Sequence, residues 1–177
     1  MKKILILLFV IYISFINCEH VHSWEEKKQF LELALGKLDE YYKDVSVDCL
    51  EKQFSADLNV GVLFTDNFDN DLQNIEKNLS PSVIDYLKNN KDEKGLVEKI
   101  EKLDDGSYHK MVIFKALAEE DECLGIMVLE GTISGDIGGE DLVNCPFLYA
   151  ASEMLSQLDF TELANNDYLV YNFKYSQ

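Results

Sequence analysis

The helical spacing of apolar residues constrains the fold of this chain more than any other feature of its sequence. The clearest example is Phe68, Leu72, Ile75 and Leu79, whose steps of four, three and four residues place the four side chains on one face of a helix. Such a face has to be buried against another element. The spacing therefore predicts a helix over residues 67–79 that packs on a hydrophobic core.

Residues that favour helix starts precede several other apolar stripes. Ser23 and Glu26 form a capping box, and Ser80-Pro81 places an N-cap serine before a proline in the first helical position. Asn144 is a further candidate cap. The predicted helical segments are 24–45, 46–58, 67–79, 80–87, 92–103 and 144–158, and residues 108–122 also favour a helix over a strand.

Strand signals are confined to two segments near the C-terminus. The apolar run Leu124–Leu129 fits either a strand or a buried helical turn, and residues 168–175 alternate between apolar and more polar side chains. We therefore expect a mainly α protein, a single-domain helical bundle of about six helices that a small C-terminal β element could extend. An α+β fold with a C-terminal hairpin is the alternative.

The first 18 residues have the organisation of a secretory signal peptide. Lys2 and Lys3 precede an apolar stretch, Ile4–Ile16, which is too short for a bilayer span of about 20 residues. Cleavage after Cys18 would leave residues 19–177 as one globular helix-rich domain without a transmembrane segment, secreted to the extracellular space. The alternative is a lipid anchor on Cys18, although the residues before it fit a lipoprotein signal poorly.

The charge balance excludes one large class of partner. The formal net charge is −17, and the chain has no arginine. Nucleic-acid binding needs cations that replace phosphate counterions, and arginine is the commonest reader of guanine. We therefore expect an acidic protein without a nucleic-acid partner.

The cysteines predict one disulfide in the mature chain. A secreted protein is expected to form such bonds. Pairing Cys123 with Cys145 would close the glycine-rich segment between them, and closing a loop of roughly 20 residues stabilises a fold by about 3 kcal/mol in the chain-entropy model. Cys49 would then be a free thiol, although the sequence leaves all three pairings open.

Two short groups of residues are weak candidates for metal binding. His20 and His22 flank one residue near the predicted mature N-terminus, and Asp136, Glu140 and Asp141 lie in the glycine-rich segment. Neither group has the spacing of a known metal motif. The chain also lacks a phosphate loop and a dinucleotide fingerprint, so we expect no metal and no cofactor.

His109 is the one histidine of the predicted folded body. A histidine that acts as a general base needs a nucleophile and an orienting acid, and the spacing along the chain proposes neither. Without a catalytic motif, we expect a non-catalytic binding protein whose partner is an unknown protein or a small apolar ligand. The alternatives are a lipid-anchored surface protein and a secreted enzyme that uses His109.

Overall fold

The chain folds as one β-sheet with helices on both faces, in a computed structural model that describes residues 22–45, 51–118 and 123–177. The strands are β1 (Phe54–Thr65), β2 (Gly95–Lys102), β3 (Tyr108–Ala118), β4 (Cys123–Gly135) and β5 (Tyr168–Ser176). The helices are α1 (Trp24–Tyr42), α2 (Phe68–Asp71), α3 (Gln73–Glu76), α4 (Pro81–Asn89) and α5 (Asn144–Gln157), with 3₁₀ helices at Glu140–Leu142 and Phe160–Ala164.

The strands form a single antiparallel sheet in the order β2-β3-β4-β1-β5. Strands β2, β3 and β4 follow one another as neighbours, and β1 lies between β4 and β5. The chain passes through α2, α3 and α4 between β1 and β2, and through α5 between β4 and β5. Each of these crossings places helices over one face of the sheet.

The predicted mainly α bundle is therefore wrong, and the α+β class describes the chain. The helices predicted over 92–103 and 108–122 are strands β2 and β3. Of the helix predicted over 46–58, the structure describes residues 51–58, and from Phe54 onwards these form strand β1. Helices cover both faces of the sheet, so its inner strands do not alternate between buried and exposed residues. In β1 every residue from Val60 to Thr65 is buried, and such a run cannot be told from a buried helix by periodicity.

Other predicted elements are confirmed. Helix α1 begins with the Ser23–Glu26 capping box, α4 begins after Ser80 with Pro81 in its first turn, and the alternating C-terminal segment is β5.

The helix predicted over 67–79 is instead two single turns, α2 and α3. Its apolar stripe still packs inward, because Leu72, Ile75 and Leu79 are buried.

One face of the sheet packs against α1 and α5. The ring of Phe30 in α1 lies 5.3 Å from the ring of Phe64 in β1 and 5.7 Å from that of Phe114 in β3, between centroids. Gly125 of β4 lies beneath Phe30, where an added Cβ would overlap the ring. A glycine in the middle of a strand is thus required here by the close approach of an aromatic side chain.

The opposite face packs against α2, α3 and α4. Its core includes Ile113 of β3 and Val128 of β4, which contact apolar residues of the three helices. Because side chains two residues apart in a strand share a face, His109 and Glu130 project to this same side. The second core therefore carries two ionisable side chains near one end of β3 and β4.

A buried lysine joins α1 to the segment before β5. The side chain of Lys27 is fully buried, and its ammonium donates to the carbonyl oxygens of Leu163 at 2.7 Å and Asn166 at 2.8 Å. It also lies 2.8 Å from the carboxylate of Asp167. The apolar environment is tolerable for this cation because three acceptors surround it.

Two more buried lysines tie other helices to β3. The ammonium of Lys110 donates to Glu98 and Asn144, and that of Lys115 donates to the carbonyl of Asn90 at the end of α4. Burial lowers the pKa of both lysines. Asn144 was predicted to cap α5, but it is the first residue of that helix, and its side-chain oxygen accepts a hydrogen bond from Lys110 instead.

Candidate acid–base site

His109 and Glu130 lie side by side on the sheet face that α2, α3 and α4 cover. In the antiparallel register His109 is opposite Thr132 and Met111 is opposite Glu130, which makes His109 and Glu130 diagonal neighbours on one face. Nε2 of His109 lies 2.8 Å from Oε2 of Glu130. This pair could not be predicted from the sequence, because residues 108–122 favoured a helix where the structure has β3. The sequence did contain one indication of a functional acid, since Glu130 is a lone acidic residue at the end of the apolar run Leu124–Leu129.

Glu130 is a buried carboxylate with three hydrogen-bond donors. Its side chain is 1% exposed. Oε1 accepts the backbone N–H of Ser80 at 2.6 Å, while Oε2 accepts the hydroxyl of Ser80 and contacts His109. Burial alone would raise the pKa of this carboxyl, but the hydrogen bonds from His109 and Ser80 outweigh it and hold the pKa below its ordinary value. Glu130 is therefore ionised at neutral pH.

Glu130 also caps helix α4 from the neighbouring strand. Ser80 is the N-cap residue, but its side chain accepts no hydrogen bond from the helix. Its hydroxyl donates to Glu130 instead, and its Oγ lies 3.1 Å from Oγ of Ser82. A carboxylate is favourable at a helix N-terminus, where backbone N–H groups lack partners. One buried charge thus anchors α4 to the sheet.

The ionised state of Glu130 fixes the direction of the hydrogen bonds around it. A carboxylate only accepts, so Ser80 gives its single hydroxyl proton to Glu130. Ser82 must then be the donor in its contact with Ser80. His109 must likewise carry a proton on Nε2, and in the neutral imidazole Nδ1 is then the nitrogen with a free lone pair.

A groove of about 190 Å³ lies beside His109. It is lined by residues of α4, β2 and β3, and we call it the His109 groove: Ser82, Lys99, Glu101, His109 and Met111. The His109 side chain is 14% exposed. The ammonium of Lys99 lies 4.4 Å from the centroid of an aromatic ring of α4. The groove therefore combines an imidazole, a hydroxyl, a cation and a carboxylate around one small space.

This arrangement is chemically suited to proton transfer. A histidine whose one nitrogen is held by a buried carboxylate presents its other nitrogen in a defined direction, and the carboxylate stabilises the imidazolium that forms. Imidazole is the side chain whose ordinary titration falls in the physiological pH range. Lys99 can stabilise negative charge that develops on a molecule in the groove.

A larger cleft, of about 410 Å³, lies where β1 ends and β5 begins. His22, which was a weak candidate for metal binding, is buried in its wall. Among the described residues, no group of three or more His, Cys, Asp and Glu is placed to hold a metal ion. The cleft is lined mainly by acidic and amide side chains: Asp66, Asp71, Asn74, Asn165, Asn166 and Asp167, with His22, Leu63, Phe64 and Tyr168.

The remaining candidate ligands and anchors are described only in part. Asp136 and Glu140 are exposed in the segment between β4 and α5. The side chain of Asp141, together with His20 and Cys18, lies outside the described residues. The signal peptide thus stays a prediction, and a lipid anchor on Cys18 stays its alternative.

The predicted Cys123–Cys145 disulfide is wrong. Cys123 is a free, buried thiol whose pKa burial raises to about 12, whereas Cys145 is disulfide-bonded but not to Cys123. No disulfide joins two cysteines within the described ranges. The first 13 residues of the segment that the bridge was expected to close are strand β4, which begins at Cys123 and ends at Gly135, so they form an extended strand of the sheet roughly 40 Å long and not a flexible loop. Cys49, the predicted free thiol, lies outside the described residues.

Cys123 is also excluded as a nucleophile for His109. It pairs with Ala118 at one end of the β3–β4 ladder, and His109 lies near the other end. Its raised pKa leaves the thiol protonated at neutral pH. Any nucleophile that serves His109 must therefore come from the groove itself or from solvent.

Comparisons with protein-family models, curated proteins and solved structures find no match to this chain. No helix in residues 22–45, 51–118 and 123–177 is long and apolar enough to cross a membrane.

Proposed function

We propose that this protein is an enzyme that performs acid–base chemistry on a small polar substrate in the His109 groove. The observation that supports this proposal is the 2.8 Å contact between Nε2 of His109 and the buried carboxylate of Glu130. A base held by an orienting acid beside an open groove is the arrangement that proton-transfer catalysis requires. A secreted enzyme that uses His109 is the alternative that the sequence left open, and Glu130 would be the acid that orients the histidine.

His109 would accept and return the proton of the reaction through Nδ1. Glu130 would keep the ring in one tautomer and stabilise its protonated form, as a positioning residue that does not touch the substrate. Lys99 would offset negative charge that develops on the substrate, and the hydroxyl of Ser82 would lie within the same groove.

Two features favour this proposal over non-catalytic binding of an apolar ligand. The larger cleft is lined mainly by acidic and amide side chains, and the His109 groove brings an imidazole, an ammonium and a carboxylate together, groups that suit a polar molecule better than an apolar one. The capping of α4 also needs only Glu130 and Ser80, so it leaves unexplained a histidine that contacts Glu130 and opens onto a groove. The expectation of a protein without catalytic activity remains a prediction.

We keep secretion as part of the proposal. It is supported by the charged and apolar pattern of residues 1–18. The intact mass of the protein isolated from its native source tests it. A chain that starts at Glu19 is expected, whereas an acylated Cys18 at the N-terminus would favour the lipid-anchored alternative.

Hydrolysis of 4-nitrophenyl acetate by the full chain tests the acid–base site. We expect His109→Gln to lower the rate by roughly 100-fold, the contribution typical of a positioned acid–base group. Added imidazole should restore part of the rate in a His109→Gly variant, because it can occupy the space of the lost ring. His22→Gln, in the other cleft, serves as the matched control and should keep the wild-type rate. A folded His109→Gln variant with the wild-type rate would refute the proposal.

A further inference from the structure

We infer that Ser82 is a nucleophile of the His109 groove and that the substrates are carboxylic esters. This inference rests on the proposed acid–base function and adds the reaction class. It follows from a chain of hydrogen-bonded groups that starts and ends in the same groove.

The chain runs from Ser82 through Ser80 and Glu130 to His109. Oγ of Ser82 lies 3.1 Å from Oγ of Ser80, Ser80 donates to Oε2 of Glu130, and the same oxygen lies 2.8 Å from Nε2 of His109. Ser82 and His109 both line the groove, whereas Glu130 is buried between them. A proton that leaves Ser82 therefore has a path to a buried carboxylate beside His109.

The direction of these hydrogen bonds activates the oxygen of Ser82. Because the only proton of Ser80 goes to Glu130, the hydroxyl of Ser82 donates to Ser80. Its proton thus points to Oγ of Ser80, and its lone pairs remain for a substrate. An exposed serine outside such a chain has no base to accept its proton.

The surroundings of Ser82 fit the charge that develops when an ester is attacked. Ser82 is the second residue of the nine-residue helix α4, in the first turn, where the helix itself supplies no acceptor for the N–H. That N–H and the ammonium of Lys99 can both stabilise an oxyanion. A hydroxyl nucleophile, a proton acceptor and oxyanion donors together define acyl transfer.

Four groups, namely Ser82, Ser80, Glu130 and His109, donate and accept every proton that the reaction moves between substrate and protein. In the first step Oγ of Ser82 forms a bond to the ester carbonyl carbon, while its proton passes to Ser80 and the proton of Ser80 passes to Glu130. In this cycle His109 starts as the imidazolium, protonated on both nitrogens, beside the Glu130 carboxylate. The bond to the leaving alcohol breaks, and the alcohol takes the proton from Nδ1, which leaves His109 neutral. Water then attacks the acyl group and gives its proton to Nδ1, while Ser82 recovers a proton from Glu130 through Ser80.

Two measurements on the full chain test the inference. The first is the time course of nitrophenolate release from 4-nitrophenyl acetate, in which an acyl-enzyme produces a burst of about one equivalent before steady turnover. The second is labelling with an alkyl fluorophosphonate, in which Oγ of a nucleophilic serine displaces fluoride, followed by mass analysis of the peptides. The variants are Ser82→Ala and, as the matched control, Ser156→Ala, which removes an exposed hydroxyl of α5.

Three outcomes are distinguishable. A burst and a label on Ser82, both lost in Ser82→Ala and kept in Ser156→Ala, would support the inference. Turnover that depends on His109 but shows no burst and is unchanged in Ser82→Ala would overturn it and leave the proposed function intact, with water as the nucleophile. Turnover that does not depend on His109 would overturn the proposed function and this inference together.

Discussion

Replacement of Glu130 by glutamine should destabilise the protein in a pH-dependent manner. The carboxylate accepts three hydrogen bonds, two from Ser80 and one from His109. Glutamine has nearly the same shape, but its NH₂ group would face a donor in place of one acceptor oxygen. One charge-assisted hydrogen bond is thus lost, which is worth about 1.5–3 kcal/mol. The lower cost of burying a neutral amide offsets part of this loss, so we expect about 2 kcal/mol at pH 7.

The pH dependence follows from the lowered pKa of Glu130 in the folded chain. A group whose folded pKa lies below its unfolded value contributes stability that is fully present above the unfolded pKa, about 4.3 for glutamate. That contribution is lost as the pH falls through the folded pKa. Once protonated, Glu130 presents an O–H where Glu130→Gln presents an NH₂, so the difference between the two proteins should shrink towards zero.

Urea unfolding from pH 7 to pH 3 measures this difference. The fluorescence of Trp24, the only tryptophan, reports the transition because this residue packs against the core. Glu153→Gln is the matched control, since Glu153 is exposed on α5, and its effect should stay within about 0.5 kcal/mol. A gap between wild type and Glu130→Gln that stays constant down to pH 3 would refute an ionised, hydrogen-bonded Glu130.

Three further predictions concern packing and reactivity. Lys27→Met should lower the free energy of unfolding by about 3 kcal/mol, since it leaves the carbonyls of Leu163 and Asn166 and the carboxylate of Asp167 without their cation. An unchanged urea midpoint would contradict this. Cys123, with its pKa raised to about 12, should react with a disulfide reagent at pH 8 only after unfolding, and rapid reaction of the native thiol would show that it is accessible. Gly125→Ala should destabilise the protein by about 1–3 kcal/mol because its Cβ would overlap Phe30. Gly36→Ala, in an open position of α1, should stabilise it by up to about 1 kcal/mol. The thermal unfolding temperatures of the two variants should therefore shift in opposite directions.

The sequence predicted those elements whose ends carry local chemistry. The capping box at Ser23 and the Ser80-Pro81 start depend only on residues within one helical turn, so α1 and α4 could be predicted without knowledge of the fold. Strand β5 lies at the edge of the sheet and keeps an alternating pattern. These signals are local, and the structure confirms them.

Strands β2 and β3, which carry apolar residues on both faces, could not be predicted in the same way. Leu96 and Ile100 of β2 belong to the core beneath α1 and α5, and Val97 belongs to the opposite core. With apolar residues on both faces, the spacing 96, 97 and 100 also fits one face of a helix. The choice between a helix and a strand here depends on whether both faces of the sheet are covered by helices, and that is a property of the tertiary structure.

The candidate site could not be predicted from the sequence because strand β3 was predicted as a helix. His109 and Glu130 are 21 residues apart in sequence, and they become neighbours only in the antiparallel register of β3 and β4. A helix over residues 108–122 offers no reason to bring them together. Candidate sites formed across a strand pair can therefore be predicted only after the strands themselves are identified.

Glu130 has two roles in this structure, and the roles can be separated by experiment. Its Oε1 accepts only the backbone N–H of Ser80, whereas its Oε2 serves both the Ser80 hydroxyl and His109. Replacement of Glu130 removes the cap of α4 and the orientation of the imidazole together. Replacement of His109 leaves both contacts of Ser80 in place, so a loss of activity in His109→Gln without a loss of stability would belong to the imidazole alone. Because Ser80 and Ser82 stand at the start of α4, the stability of that helix and the geometry of the groove depend on the same buried charge.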